Sequence, residues 1–245
     1  MKLSFVIPAY NEEKYISQCL QSIFNELEGK LYDVEIIVVN NSSTDKTKEI
    51  ASAFSGVTVV DEAQKGLVNA RKAGFAVATG DLIANIDADT ILTHEWIEKV
   101  LDKFKYNSDI VAFSGPFIYY DMPLRINVLV RLFYYFGYIT YLFNSHFLHV
   151  SSMLQGGNFV FRRAAFEKIG GYNDKFVFYG EDTDVAKRLS KVGKVIFSFK
   201  LPIYASGRRL RKEGILKAGF KYSINYFWTI IFRKPFNKKY TDVRT

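Results

Sequence analysis

The chain has 245 residues, 49% of them hydrophobic, and a formal net charge of +8. That length supports one ample core in an ordinary single α/β domain with an appendage, and a lone cysteine, Cys19, excludes an internal disulfide and fits a reducing compartment. Residues 200–245 hold 12 Lys/Arg against 2 Asp/Glu, so the basicity belongs to that segment; charge alone does not choose among anionic lipid, phosphorylated substrate and nucleic acid as its partner.

Leu3–Ile7 is apolar and stops at Pro8, too short a run for a signal peptide, and it reads as the first strand. Ile16, Leu20, Ile23, Phe24 and Leu27 recur at helical spacing, which predicts a helix from about Glu12 to Leu27 with Cys19 in the core beside that stripe. Further strands are expected at Glu35–Val39, Val57–Val60, Leu82–Ile86 and Ile110–Ser114, with a helix after the capping run Ser43-Thr44-Asp45. Apolar runs alternating with helical patterns predict a mostly parallel sheet covered by helices.

From Met122 to Phe166 there is no Asp or Glu, and aromatics crowd Leu132–Phe143. Twelve such residues fall short of the roughly 20 needed to span a bilayer and suit a buried or interfacial helix. Farther on, Leu216, Phe220, Ile224, Phe227 and Ile231 share one helix face, with Lys217, Lys221, Arg233, Lys234, Lys238 and Lys239 around or after it. An apolar face beside a dense cationic end predicts contact with an anionic membrane surface.

Chemistry is expected where strands end, since open α/β sheets bind ligands beyond the carboxyl ends of their strands. Pro8-Ala9-Tyr10-Asn11-Glu12 and Asn40-Asn41-Ser42-Ser43-Thr44-Asp45 both sit at such junctions, as ligand-binding turns or as plain helix caps. Asp87-Ala88-Asp89 sets two carboxylates one residue apart at the end of the fourth strand. The pair suits Mg²⁺ or Mn²⁺, which use one or two carboxylates and leave other positions to phosphate and water; solvated turn aspartates are the plain alternative. Lys65 or Arg71 is available to neutralise a diphosphate. Gly156-Gly157-Asn158 permits close backbone approach to a ligand, Gly180-Glu181-Asp182-Thr183-Asp184 opens a helix with carboxylates, and Ser206-Gly207-Arg208-Arg209-Leu210-Arg211 reads as a flexible basic loop. His94, His146 and His149 read as structural or surface residues.

Read in order, these segments, with Arg71 and Gly74, Arg162-Arg163 and Gly170-Gly171-Tyr172, resemble family 2 glycosyltransferases of the GT-A type over nearly the whole chain to about residue 214. The resemblance implies a GT-A-like twisted sheet at 1–214, with a helical aromatic insertion at about 122–154 and a basic amphipathic extension at 215–245. It also implies a nucleotide-diphosphate sugar lying across the strand ends. Asp89 would be the direct metal ligand, with Asp87 on the ribose or on the metal. Pro8, Ala9, Tyr10 and Glu12 would line the nucleoside pocket with Asn41 near the base, Gly157 would approach the donor sugar, and Arg208 and Arg209 would cover the phosphates. Asp182 would be the general base, with Glu181 binding the acceptor, and one displacement would invert the anomeric carbon. A UDP-sugar is favoured by the resemblance, but family members often carry Asp-Asp where this chain has Asn40-Asn41, a change that removes negative charge, adds amide donors and leaves a GDP-sugar open.

The acceptor is expected to be a glycan or a lipid-linked molecule. Location is expected to be cytoplasmic, peripheral on the cytoplasmic membrane face. A nucleotide-sugar-binding scaffold without turnover is the rival reading. The basic segment alone suggests nucleic acid, and no recognition motif of known arrangement accompanies it, so no nucleic-acid partner is expected.

Overall fold

The computed structural model describes residues 1–147, 153–237 and 242–244. In chain order the elements are β1 (Leu3–Ala9), α1 (Ile16–Leu27), β2 (Val34–Asn40), α2 (Thr47–Ser52), β3 (Val57–Asp61), α3 (Leu67–Val77), β4 (Leu82–Ile86), β5 (Thr90–Leu92), α4 (Trp96–Lys105), β6 (Ile110–Ser114), β7 (Phe117–Tyr119), α5 (Leu124–Phe147), β8 (Asn158–Arg162), α6 (Arg163–Lys168), α7 (Glu181–Leu189), β9 (Lys194–Phe197), β10 (Ile203–Ala205), α8 (Arg208–Glu213) and α9 (Ile215–Phe232).

The main sheet runs β3-β2-β1-β4-β8-β6-β9, parallel except where β8 lies antiparallel to both β4 and β6. Its central strands are apolar throughout because both faces are covered. On β1, Leu3, Phe5 and Ile7 face a core completed by Ile16, Leu20 and Ile23 of α1 and Trp96, Ile97 and Val100 of α4. Val6 turns to the opposite core, which Val68 of α3, Phe166 of α6 and Val185 and Leu189 of α7 complete. A smaller sheet, β5-β10-β7, stands beyond the ends of β4 and β6. This mixed α/β architecture agrees with the expected fold.

All five expected strands are present. The first helix begins at Ile16, four residues later than the periodicity suggests. Asn11 sits in the left-handed region at φ 52°, and Tyr15 N–H closes a turn onto Glu12 C=O at 2.9 Å, so residues 11–15 are spent aiming Glu12 before the helix starts.

The aromatic segment is also longer than expected: α5 has 24 residues, because Leu124, Ile126, Val128 and Leu129 extend the apolar run ahead of the aromatics. Leu124–Asn144 is long and apolar enough to cross a membrane by length and composition. Tyrosine and asparagine side chains nevertheless tie it to the domain along its length. Asn127 exchanges hydrogen bonds with the Tyr119 backbone at 2.8 and 2.9 Å, Tyr134 Oη donates to Gln155 at 2.6 Å, and Tyr141 Oη donates to Val195 C=O at 3.0 Å. Its outer face presents Leu132, Phe136, Ile139 and Phe143 to solvent.

Helix α9 inverts the usual pattern in the same way. It buries Ala218, Asn225 and Thr229 and exposes Leu216, Phe220, Phe227 and Ile231, four of the five residues expected on its apolar face. Gly180 is what lets it dock on α7: at φ 78° with no side chain, it leaves room for Thr229, whose hydroxyl a Cβ there would overlap. Lys187 of α7 also donates to Ile230 C=O. His94 is exposed as expected. The side chain of His146, and residues His149, Lys238 and Lys239, lie outside the described residues.

Candidate active site

The loops after β1, β2 and β4 meet at the carboxyl ends of those strands, where a parallel sheet leaves a crevice. The Asp87-Ala88-Asp89 turn is fixed by Thr90, whose N–H and hydroxyl donate to Asp87 C=O at 3.2 and 2.7 Å, and by Ser206 N–H donating to Asp89 C=O at 3.1 Å. A cavity of about 140 Å³ opens there, lined by Glu12, Asp87, Asp89, Glu181, Asp182 and Arg208 among others. The Gly156-Gly157 turn separates its two acidic ends. A Cβ on Gly157 would overlap the Asp87 carboxyl group, and one on Gly156 would lie 3.3 Å from Asp182 Oδ2. The close approach predicted for Gly157 is therefore to Asp87.

Arg71 does not present an open guanidinium for a diphosphate, a correction to the sequence reading. It is fully buried and donates to Glu181 and to Gly156 C=O, with Asp87 Oδ1 at 3.4 Å. In this arrangement it orients the acids: one guanidinium ties the α7 terminus, the glycine turn and the β4 end together. Glu181 Oε2 keeps no hydrogen-bond partner among the described residues.

Asp182 sits in the first turn of α7, where the helix dipole favours negative charge. Thr183 N–H donates to its Oδ1 at 2.7 Å. Burial raises its pKa above the ordinary carboxylate value, with the Thr183 N–H and Arg71 opposing.

The basic segment expected as a loop includes a short helix, α8. Arg208 opens the short helix α8 and donates to both Glu12 oxygens at 2.8 and 2.5 Å, with its Nε 3.0 Å from Asp89 Oδ2. Arg209 pairs with Glu213 at 2.9 Å and lies over the Phe178 ring at 4.7 Å. Glu12 lines the larger, acidic cavity. Its side chain is 3% exposed and accepts from Arg208 and also from Arg244, whose Nε lies 2.9 Å away.

A narrower hollow of about 20 Å³ adjoins this cavity, lined by Pro8, Ala9, Tyr10, Asn41, Lys65 and Arg244 among others. Pro8 walls both spaces. Lys65 Nζ stands 3.6 Å from the Tyr10 ring centroid. Asn41 is committed to the chain itself: its amide donates to Glu62 C=O at 3.0 Å and Gln64 C=O at 2.8 Å and accepts from Gly66 N–H at 2.7 Å. It builds the pocket wall, where the sequence reading has it addressing a base.

The donor set suits a hard divalent cation. Burial pushes the Asp89 carboxyl up to about 7, Arg208 opposing and the nearby Glu12 and Asp87 carboxylates adding to it. A cation between Asp89 and Asp87 would relieve that penalty. Among the described residues no three His, Cys, Asp or Glu side chains converge to hold an ion unaided. Two carboxylates completed by phosphate and water match the habit of Mg²⁺ and Mn²⁺.

Comparison with known proteins follows the same lines. The model of glycosyl transferase family 2 matches residues 4–170. The chain belongs to that family. Residues 140–209 also match a model described as the N-terminal domain of galactosyltransferase. The probable glycosyltransferase YdaM of Bacillus subtilis is 31% identical over 223 residues, 82% of this chain and 50% of that protein. The dolichol-phosphate mannosyltransferase of Pyrococcus furiosus is 36% identical over 118 residues, 46% of this chain and 33% of that protein. The chain thus spans half or less of the length of these two relatives. In fold it is similar to the mannosyltransferase of Pyrobaculum calidifontis solved with GDP-Man and Mn²⁺, at a TM-score of 0.64 and 19% identity, covering 91% of this chain and 64% of that one.

Sequence reading missed Tyr119, Tyr179, Tyr222, Phe178 and Arg244 as cavity walls. None stands in a recognisable motif, and the aromatic content around them reads as core.

Proposed function

We propose that this glycosyltransferase-family chain moves a sugar from a nucleotide-diphosphate donor to an acceptor hydroxyl in one inverting displacement. The observation that carries the reading is the acidic cavity itself, with Asp87 and Asp89 on one side of the Gly156-Gly157 turn and Asp182 on the other. A divalent cation held by Asp89 and Asp87, Mn²⁺ or Mg²⁺, would offset the charge growing on the departing diphosphate. Asp182 accepts the acceptor's hydroxyl proton while that oxygen bonds to the anomeric carbon; the anomeric C–O bond breaks and its electron pair leaves with the nucleoside diphosphate. The pKa of Asp182, raised by burial, strengthens it as a base. The Thr183 N–H holds the carboxylate in place. Arg71 keeps Glu181 turned to the same space, available to bind the acceptor. Tyr10, Ala9 and Pro8 form the nucleoside side, and UDP and GDP are both candidate leaving groups.

The acceptor we favour is lipid-linked and met at a bilayer surface, with α9 and α5 resting on the lipid and residues 1–214 forming the catalytic unit. Both helices turn apolar faces outward, and both reach the cavity region: Tyr222 of α9 lines it, and Tyr134 of α5 bonds to its wall residue Gln155. Lys217, Arg233 and Lys234 add cations that anionic headgroups attract. The Pyrococcus furiosus relative, by name a dolichol-phosphate mannosyltransferase, points the same way.

The test is release of nucleoside diphosphate from UDP-, GDP- and dTDP-sugars with lipid-phosphate and glycan acceptors, with and without Mn²⁺ or Mg²⁺. Turnover of one donor that stops on chelation is expected. Metal-dependent donor binding with no transfer to any acceptor would favour a binding scaffold.

A further inference from the structure

Val243 and Arg244 lie in the cleft that the donor reading requires to be open, with Asp242 beside them. Val243 and Arg244 line the acidic cavity, and Arg244 also lines the hollow beside Tyr10 and Asn41, so it stands where the two spaces meet. Its guanidinium is 5.6 Å from the Tyr10 ring centroid and its Nε is 2.9 Å from Glu12 Oε1. The segment is held from one more point, Lys212 of α8 donating to Asp242 C=O at 2.9 Å, and its own turn is closed by Arg244 N–H donating to Asp242 Oδ1 at 3.1 Å. With the segment in place the spaces measure about 140 and 20 Å³, whereas drug-sized ligands occupy pockets of roughly 300–1,000 Å³.

We propose that residues 242–244 are an intramolecular occupant of the donor cleft, a latch that Arg244 closes on Glu12 and Tyr10 and that an entering nucleoside diphosphate displaces. The inference rests on the donor reading above and adds to it a gate. Glu12 is the shared anchor, since it takes Arg208 on both oxygens and Arg244 on one. Arg208 in turn sits against Asp89. The guanidiniums thereby neutralise carboxylates that a divalent cation would otherwise engage. An entering nucleoside diphosphate needs the space that Val243 and Arg244 fill, so its binding breaks the Arg244–Glu12 and Lys212–Asp242 contacts. The latch lowers apparent donor affinity by the fraction of molecules that are closed.

Isothermal titration of UDP and GDP in the presence of Mn²⁺, on the full chain and on its Arg244→Ala and Arg244→Gln variants, tests this. The expected result is that whichever nucleotide the parent binds is held about 3- to 10-fold more tightly by both variants, through the same binding stoichiometry. Unchanged affinity overturns the latch. Weaker affinity overturns it too and makes Arg244 a donor ligand. A parent chain that binds neither nucleotide takes down the donor reading, and the latch with it, which separates that failure from failure of the gate alone.

Discussion

Helices α1 and α9 obey opposite rules on one molecule. Helix α1 turns Ile16, Cys19, Leu20 and Ile23 into the core and leaves Gln21 outside, as a soluble surface helix does. Helix α9 turns Ala218, Asn225 and Thr229 inward and leaves Leu216, Phe220, Phe227 and Ile231 outside. Exposed apolar faces larger than a few hundred Å² are the kind of surface that lipid or protein contacts cover. The contrast shows that an amphipathic pattern reports two faces and leaves open which one is the core. The cationic end beside the α9 stripe had already turned that stripe outward in the sequence reading, and the docking of Thr229 against Gly180 on the opposite side agrees with that direction.

Stability measurements should separate the two helices most. Ile23→Ala on α1 is expected to cost about 2–5 kcal/mol, since it opens a cavity in a closed core. Phe220→Ala on α9 is expected to stay within about 0.5 kcal/mol, as surface substitutions do. Chemical denaturation of both variants gives the comparison, and equal losses would mean that α9 packs against a core after all. The next effect is on lipid. Replacing Phe220 and Phe227 with Glu should cut co-sedimentation with phosphatidylserine vesicles about tenfold or more and leave nucleotide binding alone. A Gln21→Glu change on α1 should alter neither. If the parent chain sediments equally with and without vesicles, the inverted helix needs another explanation.

The cleft supplies a third and smaller contrast, in pH. Burial pushes the Asp89 carboxyl up to about 7, so below that pH a proton competes for the oxygen a cation would need. Mn²⁺ affinity should fall about tenfold per pH unit below 7 and level off above it, because one proton competes with one ion. In the metal-free protein the sign reverses for stability. A raised native pKa means the folded state binds more protons than the unfolded one between about pH 4 and 7, so this group's contribution falls as pH rises through that window. Comparing the parent with Asp89→Asn isolates it.

Much of the fold was legible because buried parallel strands are continuous apolar runs, and Leu82–Ile86 and Ile110–Ser114 match their observed bounds. The three-residue strands β5, β7 and β10 were not, since so short a strand carries no readable period. Among the site residues, Asp87, Asp89, Glu181 and Asp182 announced themselves by motif and do share one cavity. Arg71 misled because a sequence shows a positive charge without showing that carboxylates and a carbonyl enclose it. The partners of Glu12 were hidden for a related reason, Arg208 and Arg244 lying 196 and 232 residues away along the chain. Pairing at that separation is decided by the fold.

The most direct measurement is transfer by Asp182→Asn under conditions where donor binding is measured on the same preparation. Nucleotide-sugar affinity within about twofold of the parent, together with a loss of transfer of about 10³-fold or more, is expected of a residue whose work is to take the acceptor's proton. Transfer at the parental rate would contradict the assignment of the base and, with it, the single inverting displacement.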